Sequence, residues 1–236
     1  MKINLSLPKT ILPFLKDQLD DFYLAGGTAL SMFYFQHRES FDLDFFTRKF
    51  KRQNVTNIAD HLSKKSGWPI ELIGEQTKKD LIGVAIYMVH IDAEKKCKLD
   101  FVEDYIEPMN PLKRVDGINI LSLEDIYLRK IYTIAGQISS VNDIGQSVVL
   151  GGRQEAKDFF DVYCLSTITM PLSQFVSQHC NPVIKEGVVR WYQTYDRMAM
   201  KTGLLDLMTK AEPDFRVIEN HFKKEIDKLL KMIIGE

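Results

Sequence analysis

The chain has 236 residues, 45% of them apolar and 27% charged, with a formal net charge of −1 at pH 7. That composition supports a globular core and excludes a disordered or fibrous chain, and the near-zero charge gives no global attraction for a polyanion, although a local basic surface is compatible with it. Cys97, Cys164 and Cys180 are odd in number, far apart and in no CxxC pair, which excludes a disulfide framework and a cysteine zinc site and points to a reducing, cytoplasmic setting.

The N-terminal stretch MKINLSLPKTILPFLKDQL is broken by Pro8 and Pro13 and carries Lys9 and Lys16 within its apolar run. It is therefore expected to be neither a signal peptide nor a membrane span, and no other stretch is apolar enough to cross a bilayer. DFYLA reads as a short apolar strand, Gly26 and Gly27 as a turn, and TALSMFYF as a helix. FDLDFF reads as a second strand, and RKFKRQNVTNIADHLSKK as a loop and a helix with Val55, Ile58, Ala59 and Leu62 at helical spacing. PIELIGE, LIGVAIYMVHI and CKLDFVEDYI are rich in β-branched and aromatic residues, and the polar DAEKK between the last two predicts a hairpin. GINI is a short strand running into Ser122, whose hydroxyl can cap a helix, with Asp125 at the acidic position of a capping box. From there almost everything reads as helix, including RQEAKDFFDVYCL. The stretch from Ser139 to Gly152 has three glycines and no strong pattern, and is expected to be a mobile loop. With no internal repeat and no low-complexity segment, these elements predict an α/β (α+β) protein. Residues 1–120 form a mixed-sheet core with flanking helices, and residues 121–236 a helical half packed with it and sharing a cleft.

The residues with chemical potential lie near the first turn. Gly26 and Gly27 stand between a strand and a helix, where φ > 0 or close backbone approach is needed; the free N–H groups and positive dipole end of the helix suit a phosphate, and Thr28 can add a hydroxyl. A plain tight turn explains the glycines equally well. Asp42 and Asp44 are one residue apart, so on a strand they leave one face while Phe41, Leu43 and Phe45 leave the other. Two such carboxylates repel unless a cation lies between them, and a hard divalent ion such as Mg²⁺ accepts oxygen ligands and bridges to phosphates; a solvent-facing pair is the alternative. Asp100, flanked by Leu99 and Phe101, completes a three-carboxylate cluster if its strand pairs beside FDLDFF, a cluster able to hold two metal ions and orient an attacking hydroxyl, with a strand edge in water as the alternative.

GGTAL at 26–30 followed by HRESFDLDFF at 37–46 resembles the N-terminal signature of the AbiEii/AbiGii toxin-like nucleotidyltransferases, a branch of the polymerase-β-type superfamily. LEDIYLRKIYTI and RQEAKDFFDVYCL resemble that family's lysine helix and its later aspartate helix, so four motifs stand in order over residues 22–165. The resemblance implies a metal-dependent nucleotidyltransferase using Mg²⁺ (or Mn²⁺) to move NMP from an NTP to an acceptor hydroxyl. It implies that Gly26, Gly27 and Thr28 hold the triphosphate, that Asp42 and Asp44 bind the metal, that Lys130 meets nucleotide phosphate, and that Asp158 serves the site from the later helix. Arg38 pairs with the metal-site carboxylates or with phosphate, while His37 reads as a structural histidine or a ligand, and Lys130 also reads as a snorkelling surface lysine. Asp158 is expected to face the site and pair with Lys130 or orient the acceptor, and Asp161 to anchor its helix through local hydrogen bonds. The family implies the toxin of a toxin-antitoxin or abortive-infection system with a cognate antitoxin as partner. The acceptor stays open between an RNA end and a small molecule of aminoglycoside type, and a fold that binds nucleotide or partner without turnover is the non-enzymatic alternative. The basic run RKFKR at 48–52 can track an RNA backbone or simply be a solvated charge run. A haloacid-dehalogenase-like phosphatase is excluded, because HRES precedes the DxD and Phe46 stands where that motif needs Thr or Val.

Overall fold

Alternation of side chains along strands decides how the first part of the chain folds. The computed structural model describes residues 7–16, 18–78, 80–136, 138–141, 147–150 and 152–235, and the chain divides into two compact units, Met1–Asp125 and Ile126–Glu236. The first unit runs α1 (Leu7–Leu15), β1 (Tyr23–Ala25), α2 (Gly26–Ala29) continuing through a π-helical turn (Leu30–Tyr34), β2 (Leu43–Thr47) and α3 (Arg52–Ser66). It goes on with β3 (Ile70–Gln76), β4 (Val84–His90), β5 (Lys96–Glu103), β6 (Lys113–Val115) and β7 (Ile118–Ile120). The seven strands form one mixed sheet in the order β3-β4-β5-β2-β1-β7-β6. The hairpin read at DAEKK is the antiparallel β4–β5 pair, and β2 lies parallel to β5, as the three-carboxylate reading required.

One face of this sheet is dry. Leu43 and Phe45 of β2, Cys97, Leu99 and Phe101 of β5, and Ala85, Tyr87 and Val89 of β4 are buried, as period-2 alternation demands of a face covered by helices. α1 and α3 pack on the sheet through Ile11, Leu12 and Leu15 and through Val55, Ile58, Ala59 and Leu62. Phe101 lies at the centre, its ring 5.4 Å from those of Phe22 and Phe45. Residues of opposite parity in β2 and β5, Asp44 and Asp100 among them, leave the other face. Phe41 does not join the apolar row: it lies before β2 begins and is 43% exposed.

The second unit begins inside α4 (Leu123–Ala135). It adds a hairpin of β8 (Ile138–Val141) and β9 (Ser147–Leu150), then α5 (Ala156–Ile168), α6 (Leu172–His179), α7 (Pro182–Thr194), α8 (Arg197–Leu205) and α9 (Phe215–Ile234). β8 and β9 correct the expectation of a patternless loop from Ser139 to Gly152; residues 142–146 and 151 of that stretch lie outside the described residues. α5 is the hub of this unit, because it is apolar around most of its girth. The Phe159 ring lies 4.9 Å from Phe222 and 5.3 Å from Tyr195, and Phe160, Val162, Cys164 and Leu165 are buried with it. Among the described residues no helix is long and apolar enough to cross a membrane. All three cysteines are buried, and none is in a disulfide.

The Ser122 cap is present. Its Oγ accepts from the Asp125 N–H at 3.0 Å and donates to Asp125 Oδ2 at 2.6 Å, while the Asp125 carboxylate also accepts from the Met109 and Asn110 N–H groups. The acid thus ties the preceding loop to the helix start. Ser122→Ala is expected to lower unfolding free energy by about 1 kcal/mol, read from urea denaturation, since it removes one capping acceptor.

Candidate active site

The glycine turn and the aspartate strand meet directly. β1 pairs antiparallel with β2, setting Ala25 opposite Asp44, so the next residue along, Gly26, lies against the Asp44 side chain. Gly26 has φ +69°, and a Cβ there would collide with the Asp44 carboxylate. The position needs glycine twice over: for the left-handed backbone, which costs an L-residue about 1–2 kcal/mol, and for the space. The helix starts at Gly26 itself, not after the glycines, so the N–H groups of its first turn lack helical acceptors. Gly26→Ala is accordingly expected to displace the Asp44 carboxylate and cut activity at least about tenfold, beyond its stability cost of about 1–2 kcal/mol; kcat measured beside a thermal melt separates the two effects.

Thr28 is placed differently from expectation. It is fully buried, and its Oγ1 is engaged by the Asp42 carbonyl oxygen and, at 2.7 Å, by the Ser40 hydroxyl. The hydroxyl expected to meet phosphate is therefore spent on fixing the DLD segment to the glycine turn, and only the backbone of Thr28 faces the phosphate role. Arg38 is buried, with Nη1 donating to the Glu39 carbonyl at 3.0 Å. The His37 ring packs edge-on against Phe35, 5.8 Å between centroids.

The three carboxylates share one neighbourhood. Parallel pairing of β2 and β5 sets Leu43 opposite Leu99 and Asp44 opposite Asp100; Asp42, one residue before β2, therefore falls beside Lys98. The Cys97 thiol is pushed up to about 12 by burial and then by Asp42, Asp44 and Asp100 together. Lys98 stands among the same acids. Its Nζ lies 2.7 Å from Asp100 Oδ2, and although burial alone would lower its pKa, the hydrogen bond to Asp100 and the charges of Asp100, Asp42 and Asp44 raise it. Among the described residues no group of three or more His, Cys, Asp or Glu side chains is placed to hold a metal ion as it stands. The donor set nevertheless fits a hard divalent cation: the oxygens are carboxylates, two face each other across adjacent strands, and the neighbourhood already stabilises one positive charge.

The second unit holds a buried ionic network. Lys130 of α4 is 5% exposed, and Asp158 and Asp161 of α5 are fully buried. Lys130 Nζ lies 2.7 Å from both Asp158 Oδ1 and Asp161 Oδ2, so it is no surface lysine. Arg153 grips Asp158 through Nε and, at 2.8 Å, through Nη2. Burial alone would raise the Asp158 pKa; Lys130 and Arg153 outweigh it and hold the carboxylate below its ordinary value. Asp161 is not confined to local hydrogen bonds, since it shares Lys130 with Asp158. Two cations went unassigned in the sequence reading. Lys98 was legible, because it lies two residues before Asp100 and so shares its strand face; Arg153 was not, because it precedes the first turn of α5, where helical spacing gives no facing.

Comparison with known proteins bears on the family and the fold. Residues 14–235 match the family described as nucleotidyl transferase AbiEii toxin, type IV TA system. No curated protein matches the chain. Among solved structures, JHP933 from Helicobacter pylori is similar with a TM-score of 0.57 at 22% identity, covering 97% of this chain and 94% of that one. A putative nucleotidyltransferase from H. pylori has a TM-score of 0.57 at 19% identity, covering 95% of each chain. MenT4, the nucleotidyltransferase toxin Rv2826c from Mycobacterium tuberculosis H37Rv, has a TM-score of 0.54 at 12% identity, covering 94% of this chain and 81% of that one. At these identities the similarity is one of fold.

Proposed function

Because the chain belongs to the AbiEii nucleotidyl transferase toxin family, we propose that this nucleotidyltransferase uses Asp42, Asp44 and Asp100 to hold Mg²⁺ or Mn²⁺ while an NMP moves from an NTP to an RNA hydroxyl. The supporting observation is the juxtaposition of Gly26, just past the end of β1, with Asp44 near the start of β2, and of Asp44 with Asp100 in the middle of β5. The three carboxylates would hold such an ion, which would supply Lewis-acid stabilisation of the charge on the transferring phosphate. The residues of the chain do the rest. The N–H groups of the turn at Gly26, Gly27 and Thr28 hold triphosphate oxygens. The Thr28–Ser40–Asp42 contacts keep the aspartates in place beneath them. Asp100 orients the acceptor hydroxyl, whose oxygen bonds to the α-phosphorus as the bond to the β-phosphate oxygen breaks and pyrophosphate leaves.

Lys130 and Asp158 enter through the family resemblance, as phosphate contact and supporting acid. Lys130 is bound by two carboxylates and Arg153 by Asp158, so both cations of that network are paired within their own unit. The exposed basic residues Arg48, Lys49 and Lys51 follow the C-terminal end of β2, the end away from Gly26 and Asp44, where an acceptor RNA long enough to reach past the carboxylates would meet positive charge. A type IV toxin also implies an antitoxin partner. The test is a screen of the four α-labelled NTPs against total RNA with the purified protein. Label in one RNA class, for one NTP, is the expected result; no label in any RNA with any NTP would remove RNA as the acceptor.

A further inference from the structure

We infer that Lys98 is a built-in counter-cation of the metal site, which a divalent ion must displace from the carboxylates before nucleotide transfer can begin. The inference rests on the metal assignment proposed above and adds a residue that the assignment does not include. Three facts support it. Lys98 and Asp100 leave the same face of β5, and the ammonium bonds the carboxylate at 2.7 Å. Register places Asp44 directly across from Asp100, and Asp42 next to Leu43, which is itself across from Leu99; the strand position of Lys98 thus makes the fourth corner of a square whose other corners are Asp42, Asp44 and Asp100. The pair is partly buried, 16% exposed at Asp100 and 34% at Lys98, so its attraction is screened less than that of a surface pair.

The physical logic is competition between charges. Three carboxylates gathered on one sheet face repel, and a tethered ammonium relieves that repulsion at the cost of ordering one flexible side chain. A divalent ion brings twice the charge but is repelled by Lys98 at a few ångströms, so its affinity is set partly by how readily the lysine leaves. Its side chain is 34% exposed, which gives it an outward path that a fully enclosed group would lack. Once displaced, it lies beside the site with a free positive charge. The site is thereby kept folded and closed to metal until metal, or metal with nucleotide, is abundant enough to win.

The test uses the whole chain without any turnover. Lys98→Met, which keeps the stem and removes the charge, is expected to bind Mn²⁺ at least about tenfold more tightly than wild type by calorimetry or electron paramagnetic resonance. Lys98→Arg, which keeps the charge, is expected to stay within about twofold of wild type. Without metal, Lys98→Met should melt below wild type, and Mn²⁺ should restore it by a larger shift. A wild-type readout guards against a variant that fails to fold: acylation of the Lys98 amine, followed by mass spectrometry, should speed up when Mg²⁺ is added. Unchanged or weaker Mn²⁺ affinity in a folded Lys98→Met variant, or labelling indifferent to saturating Mg²⁺, overturns the inference. Asp42→Asn separates the two ideas. If it abolishes Mn²⁺ binding while Lys98→Met binds as wild type does, the metal site stands and the counter-cation falls; if it binds Mn²⁺ as wild type does, the metal assignment itself fails and the counter-cation with it.

Discussion

Asp44→Asn, and equally Asp42→Asn, is expected to lower nucleotide transfer by about a thousandfold or more, equivalent to about 4 kcal/mol of lost transition-state stabilisation. The replacement has nearly the same volume and leaves Leu43 and Phe45, the buried neighbours that anchor β2, untouched. Removing one of several like charges near Asp100 also relieves repulsion, so the melting temperature should hold or rise in the absence of metal. The effect should therefore appear in kcat and in metal affinity, and not in stability. A folded Asp44→Asn variant that transfers nucleotide at the wild-type rate would show that the strand carboxylates do not carry the chemistry.

Lys130→Met is expected to do the reverse, destabilising the Ile126–Glu236 unit by about 3–5 kcal/mol in chemical denaturation, the cost typical of removing one partner from a buried ion pair. The size follows from burial: both carboxylates that share Lys130 are inaccessible to water, so neither can be re-solvated when the ammonium goes. This exceeds what a surface pair gives, typically under about 1 kcal/mol. Any loss of NTP affinity in a Lys130 variant has to be read where the protein is still folded. The same network sets an acid limit. Asp158 titrates below its unfolded value of about 3.9, so its contribution is fully present above that value and is lost as pH falls through the lower folded pKa.

How much of this was legible depended on periodicity. β2, β4 and β5 were readable because alternation separates Leu43 and Phe45 from Asp44, and Leu99 and Phe101 from Asp100. Pairing of β2 with β5 was stated only as a condition, since register between strands more than fifty residues apart is a tertiary fact that local pattern does not encode. The same rule of two that linked Asp42 to Asp44 also links Lys98 to Asp100, and attention to acids alone passed over it. The contacts of the Thr28 hydroxyl could not be placed from sequence, because a hydroxyl at a helix start suits phosphate in general, whereas here the Asp42 carbonyl and Ser40 engage it. Lys130 could not be faced from sequence, because α4 buries Ile126, Tyr127, Leu128 and Ile131 on most sides and its apolar pattern leaves no single polar stripe. β8 and β9 escaped because Ser139–Val141 and Ser147–Leu150 are short strands separated by glycine and polar residues, where the loop signal outweighs the strand signal.

The most direct test of the carboxylate site is a crystal of the wild-type chain grown with Mn²⁺ and a non-hydrolysable NTP, with anomalous scattering recorded for the manganese. The account expects a manganese peak within about 2.0–2.3 Å of carboxylate oxygens of Asp42 and Asp44, the triphosphate against the N–H groups of Gly26–Thr28, and the Lys98 ammonium swung off Asp100. Manganese bound away from both aspartates, or nucleotide bound with no metal at them under saturating Mn²⁺, would contradict it.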